Sequence, residues 1–223
     1  MALDDDDTPF ADRREAGRTL AALLQKFAGR GDVTVLGLPR GGVPVAFEVA
    51  GSLGAPLDLF LVRKLGMPGH RELAMGAIAS GGVRVLNDVV VRSFGISPEV
   101  IDAVAREEQQ ELQRREAAYR DGPPAPLEGR VVMLIDDGLA TGSTMKAAVQ
   151  AVRQRNPSRI VVAVPVGAPQ TCDELSTLAD DVVCARTPQQ FSAVGQWYLN
   201  FEQTTDQEVR DLLSLSRSRT VRL

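Results

Sequence analysis

The chain has 223 residues, of which 44% are hydrophobic and 24% charged, and its formal net charge is −4. That length favours one elaborated domain with a sizeable core over two full domains, and the charge balance gives no footprint for nucleic acid. No run approaches the roughly 20 apolar residues of a membrane span, so a membrane is not expected as a partner either.

The opening MALDDDDTPF lacks the basic and apolar regions of a signal peptide, which predicts a cytoplasmic protein. Residues 1–9 read as a disordered acidic tail, because the block Asp4 to Asp7 repels itself and buries nothing. From Arg13 to Phe27 the apolar residues Ala16, Leu20, Leu23, Leu24 and Phe27 recur at helical spacing. A strand from Val33 to Leu38, a turn Pro39-Arg40-Gly41-Gly42, a helix from Val43 to Leu53 and a strand from Leu57 to Val62 then make a parallel-sheet unit.

Ser97 to Arg120 has the start signals of a helix, with Ser97 as cap and Pro98 in the first turn. Its apolar seam of Ile101, Val104 and Leu112 is thin, which predicts a projecting arm or a subunit contact and leaves a homodimer open. The strand–helix–strand pattern returns in Val131 to Ile135, Ser143 to Arg155 and Ile160 to Val166, followed by a strand near Asp181 to Ala185. The segment FSAVGQWYLNF concentrates aromatics, a last helix runs from about Asp206 to Leu215, and residues 216–223 read as a flexible tail. Cys172 and Cys184 read as reduced thiols, with a disulfide between them as the lesser alternative. Alternating strands and helices predict an α/β fold whose post-strand loops converge on one ligand site.

Two of those loops carry chemistry. In VVMLIDDGLATGST an apolar strand runs into Asp136 and Asp137, then into the small and hydroxylated residues Gly138, Ala140, Thr141, Gly142, Ser143 and Thr144 that open a helix. Free amides, hydroxyls and the positive end of a helix dipole suit a phosphate. The carboxylates require a different part of the ligand, such as sugar hydroxyls or a divalent cation. Ser143 stands where a Walker loop needs lysine, and no GxGxxG follows a strand.

This stretch resembles the phosphoribosyl-pyrophosphate (PRPP) motif of type I phosphoribosyltransferases. The resemblance implies that family's fold, a parallel twisted sheet flanked by helices with a small hood, here carrying an inserted helical arm. The domain would span residues 10–215, with its core at about 30–90 and 128–186, the insertion at 97–120, and a hood from the N-terminal helix and about 187–215. Asp136 and Asp137 would hold the ribose hydroxyls and, through water, Mg2+. Gly138 and Ala140 to Thr144 would bind the 5′-phosphate.

Pro39, Arg40, Gly41 and Gly42 resemble the family's pyrophosphate loop, which often contains a non-prolyl cis peptide, here at Pro39-Arg40. Arg63 and Lys64 resemble strand-end cations that meet the pyrophosphate, with Lys64 placed beside the acid pair in the catalytic set. Gly66 to Glu72 resembles a mobile lid, to which the single histidine, His70, would belong. Trp197 and Tyr198 would offer the accepting base a stacking face. Val194-Gly195-Gln196-Trp197-Tyr198 is also similar to an element of bacterial phosphoribosyltransferase-like proteins. The implied activity is transfer of 5-phosphoribose from PRPP to a nitrogen base, purine-like first, with release of pyrophosphate. A PRPP- or nucleotide-binding regulator without turnover and a PRPP hydrolase remain as alternatives.

Overall fold

The computed structural model describes residues 8–120 and 122–220. The acidic run at 4–7 and residues 221–223, both expected as tails, lie outside the described residues. In chain order the elements are α1 (Arg13–Leu23), β1 (Val33–Gly37), α2 (Gly42–Leu53), β2 (Leu57–Leu59), β3 (Val62–Met67), β4 (His70–Ala79), β5 (Val83–Leu86), α3 (Asp88–Ser93) and α4 (Pro98–Tyr119). There follow β6 (Val131–Ile135), α5 (Ser143–Arg153), β7 (Arg159–Val166), α6 (Pro169–Ser176), β8 (Asp181–Arg186) and α7 (Asp206–Thr220).

Five strands form a parallel sheet in the order β2-β1-β6-β7-β8. Every residue of β1 and β6 is buried, as continuous apolar runs must be when helices cover both faces. Alternate side chains of β6 feed two cores. Val131, Met133 and Ile135 pack with Leu20 of α1 and Leu24 just beyond its end, Phe47 of α2 and Leu212 of α7. Val132 and Leu134 pack with Ala148, Val149 and Val152 of α5. Each fully buried aliphatic side chain contributes about 1.5–3 kcal/mol, so either face would be costly to expose.

Chain order and sheet order together fix the ligand crevice. From the central pair, β1–α2–β2 winds one way and β6–α5–β7 the other, so right-handed crossovers put α2 and α5 on opposite faces. At such a reversal the loops leaving β1 and β6 diverge and open a crevice at the carboxyl edge of the sheet.

A second sheet, β3-β4-β5, is antiparallel and was not foreseen. Its signal was present in the glycine pair Gly81-Gly82, which completes the three-residue hairpin connection Ser80 to Gly82 with both φ angles positive. The expected mobile lid is the tip of the first hairpin, where Met67 pairs with His70 across Pro68-Gly69 and Gly69 has φ +80°.

The expected arm does not project. Helix α4 lies along β3 and β4 and buries Ile101, Ala105, Leu112 and Tyr119, a narrow stripe that suffices to cover one face of a small sheet. Helix α7 runs on to Thr220, so 216–220 is helical where a tail was expected. Burial of Val209, Leu212 and Leu213 holds it, Arg219 stacks over Phe47 at 4.6 Å, and the basic last turn suits the helix dipole. Cys172 and Cys184, expected as separate thiols, are bonded to each other. The α6–β8 connection lays that helix over its strand and brings their Cα atoms to 7.0 Å. Among the described residues no helix is long and apolar enough to cross a membrane.

Candidate active site

The loops after β1 and β6 meet in the crevice. In the first, the Pro39–Arg40 peptide is cis, as the resemblance implied. The amide of Leu38 donates to the carbonyl of Ile135 at 2.8 Å, which ties this loop to the end of β6. Gly41 and Gly42 are then pressed against the acid pair. A Cβ on Gly41 would lie 2.6 Å from Cγ of Asp137, and one on Gly42 would lie 2.8 Å from Cα of Asp136. Only glycine leaves room for the two motifs to touch.

In the second loop, Oδ1 of Asp136 accepts the amide of Asp137 at 2.9 Å. The carbonyl of Ala140 accepts the Thr171 hydroxyl at 2.6 Å, and Gly142 takes φ +65° immediately before α5. That turn leaves Thr141, Ser143 and Thr144 exposed around the first amides of the helix, which have no acceptors within it. An anion is accommodated there by dipole and hydrogen bonding together.

Burial raises the Asp136 carboxyl well above the usual carboxylate range, and the charge of Asp137 adds to the effect. Burial also raises Asp137, against the opposing pull of Arg13. Two adjacent, partly buried carboxylates, of which Arg13 pairs directly with one, form a site short of positive charge. Two carboxylates are also the number that Mg2+ commonly takes when substrate phosphates complete its shell, so the donor set fits that ion. Among the described residues no group of three or more His, Cys, Asp or Glu gathers to hold a metal unaided.

The expected cations of β3 lie outside the contact between the two loops: Lys64 lines a neighbouring cleft that shares Ser143 with the phosphate-type turn but includes none of Gly41, Gly42, Asp136 and Asp137. On β3 successive side chains face opposite ways. Lys64 turns toward α5 and lines a cleft of about 470 Å3 with Ser143 and Lys146. Arg63 turns toward α4, where it pairs with Glu108 and approaches Glu111 at 3.9 Å. Its partners among the described residues are therefore on the inserted helix.

Trp197 and Tyr198 do not form an open stacking face. Both are buried with Phe10, Ala16 and Val166, and the Tyr198 hydroxyl donates to the backbone oxygen of Asp137 at 2.5 Å. Aromatic clustering at 197–198 reflects a small core that fastens the 194–202 segment to the acid loop. Burial and the charge of Asp137 raise the Tyr198 phenol, so it stays a hydrogen-bond donor.

Three contributors had no sequence signal. Arg13 donates from Nε to Oδ2 of Asp137 at 2.8 Å across 124 positions of sequence. Asp206 accepts from the Tyr119 hydroxyl at 2.6 Å and from Arg40 at 3.4 Å. Through it the end of α4 and the start of α7 reach the pyrophosphate-type loop.

Comparison with known proteins agrees with this geometry. The phosphoribosyl transferase domain family model matches residues 69–201. Two Mycobacterium tuberculosis proteins, each named "Putative phosphoribosyl transferase" (Rv0571c and MT0597), are 53% identical over 201 residues. That match covers 90% of this chain and 45% of each relative, so the chain spans about half the length of the curated relatives it matches. The crystal structure of TT1426 from Thermus thermophilus is 44% identical, with a TM-score of 0.83 over 92% of this chain and 98% of that one.

Proposed function

The chain belongs to the phosphoribosyl transferase domain family, and from that premise we propose that it moves 5-phosphoribose from PRPP to a nitrogen base and releases pyrophosphate. The observation that carries the reading is the contact between Gly41-Gly42 and Asp136-Asp137, because it sets a diphosphate-type loop, an acid pair and a helix N-terminus around one crevice.

In this reading the 5′-phosphate sits on the first amides of α5 and the hydroxyls of Thr141, Ser143 and Thr144. Asp136 and Asp137 accept hydrogen bonds from the ribose 2′- and 3′-hydroxyls and fix the sugar for attack at C1. As the bond from C1 to pyrophosphate breaks, the backbone of Arg40 to Gly42 and the ammonium of Lys64 receive the growing negative charge. The base nitrogen forms the new bond to C1, and its proton passes to solvent or to a carboxylate of the pair. Asp136 and Asp137 would hold Mg2+ through water, and the ion would supply further neutralisation of the leaving group. No covalent intermediate is required.

The test is pyrophosphate release from PRPP in the presence of a panel of nitrogen bases led by purines. Release with one base, lost in the Asp136→Asn/Asp137→Asn variant, supports transfer. Tight PRPP binding with no release from any base would make the chain a PRPP-binding regulator, and release without a base would make it a hydrolase.

A further inference from the structure

Arg13 is the first residue of α1, where a cation opposes the helix dipole and local stability gives no reason to place one. Its neighbours Ala16, Gly17, Leu20 and Ala21 face the protein interior. The Arg13 side chain instead reaches into the crevice and makes three kinds of contact at once. Nε donates to Oδ2 of Asp137 at 2.8 Å, and Nη1 donates to the carbonyl of Glu202 at 2.7 Å. The guanidinium carbon lies 4.0 Å from the centre of the Phe201 ring. The pair is largely shielded, with the side chains of Arg13 and Asp137 12% and 16% exposed. A planar cation fits this setting, since it can donate along two edges while its face rests on an aromatic ring.

The hydrogen bonds also leave a definite remainder. Arg13 occupies Oδ2 of Asp137, and the amide of Asp137 occupies Oδ1 of Asp136. Each carboxylate therefore keeps one oxygen without either of these partners. The Gly41 backbone lies beside the same Oδ2, so that a Cβ there would come 2.0 Å from the oxygen and 3.2 Å from Nε of Arg13, and backbone and cation crowd one oxygen while the other is left to the crevice.

We propose that Arg13 is a positioning residue for the acid pair, holding Asp137 in the one orientation that leaves its remaining oxygen for the ribose of a phosphoribosyl ligand. The inference rests on the phosphoribosyltransferase reading. Arg13 acts through Asp137 and need not touch the ligand. It also joins the 201–202 segment to the acid loop, so that the crevice wall and the sugar-binding carboxylate keep a fixed relation.

The experiment is calorimetric titration of the full chain with PRPP and Mg2+, comparing the parent, Arg13→Met, Arg13→Lys, Asp137→Asn and the Arg13→Met/Asp137→Asn double variant. Melting of each variant reports folding separately. Arg13→Met is expected to weaken PRPP binding about tenfold or more, and Arg13→Lys to recover part of the loss, since an ammonium pairs with Asp137 but cannot reproduce the fork and the stack. In the Asp137→Asn background, Arg13→Met should add no further loss, because the residue through which it acts is already altered.

Parent-like binding by Arg13→Met would overturn the proposal. So would an equal loss in both backgrounds, which would mean direct ligand contact or a purely structural tether. If Arg13→Met does not fold, Arg13→Lys and its double variant with Asp137→Asn decide by the same comparison. A parent that fails to bind PRPP would remove the phosphoribosyltransferase reading and this inference together, a result distinct from failure at Arg13 alone.

Discussion

The carboxylate of Asp137 rests against the backbone of Gly41, so closely that a Cβ on Gly41 would come within 2.6 Å of the carboxylate carbon. Arg13 holds the same oxygen, Oδ2, at 2.8 Å, and its Nε would lie only 3.2 Å from that Cβ, so an added methyl would press on the ion pair as well as on the carboxylate. Gly41→Ala is therefore expected to cost about 1–3 kcal/mol, as overpacking does, and to weaken PRPP binding as the acid swings away. Thermal melting and PRPP titration of the variant check both effects. Unchanged binding would show that the contact between the two loops is incidental to the ligand.

Strand alternation at Arg63 and Lys64 gives a paired expectation. Arg63→Met should lower stability by about 1 kcal/mol, through loss of the partly buried pair with Glu108, while leaving PRPP affinity close to the parent's. Lys64→Met should do the reverse, since that side chain lines the cleft with Ser143 and has no role in holding α4. Denaturant melts and PRPP titrations of the two variants separate the roles, and a loss of binding in Arg63→Met would return that residue to the site.

These two residues also mark how far the sequence could be read. The strand–helix–strand grammar and the loop chemistry were legible because buried parallel strands are continuous apolar runs and anion loops are built from local residues. Which of Arg63 and Lys64 faces α5 and which faces α4 depended on the β3–β4 pairing, and the weak alternation of GHRELAMGAIASGGVRVL concealed that hairpin. Arg13 was beyond reach for a stronger reason. Its partner lies 124 positions away, and nothing in the pattern of an amphipathic helix says that its first residue turns out of the helix's packed face. Trp197 and Tyr198 misled because an aromatic pair near a site has the same composition whether it stacks on a ligand or closes a small core.

The acid pair predicts a dependence on pH. Burial and the neighbouring charge raise the folded-state pKa of Asp136, so the native protein holds a proton that the unfolded chain has already lost. The unfolded state then binds fewer protons, and stability falls as pH rises from about 4 through the raised value. Asp136→Asn, which cannot ionise, should match the parent below that window and exceed it in stability above. Urea melts of both proteins at pH 4.5 and pH 8 test this, and a variant less stable than the parent at pH 8 would mean that the charge is already compensated in the empty site.

The last prediction concerns the hairpin that replaces the expected loose lid. Strands β3 and β4 lose their regular register on both sides of Gly66, and beyond that break only the Met67–His70 pair and the Pro68-Gly69 turn complete the tip. An irregular ladder at a glycine is where a hairpin bends at least cost, so the tip is placed to swing as a unit with its turn intact. Closure over bound PRPP would keep water from the activated ribose carbon, as a transfer enzyme requires. Amide exchange should therefore slow at residues 66–70 when PRPP and Mg2+ are added, while β5 and the lower part of β4 are unaffected. Protection spread evenly over the whole β3–β4–β5 sheet would instead mean general stabilisation by ligand, and no change at the tip would leave it a fixed turn on the protein surface.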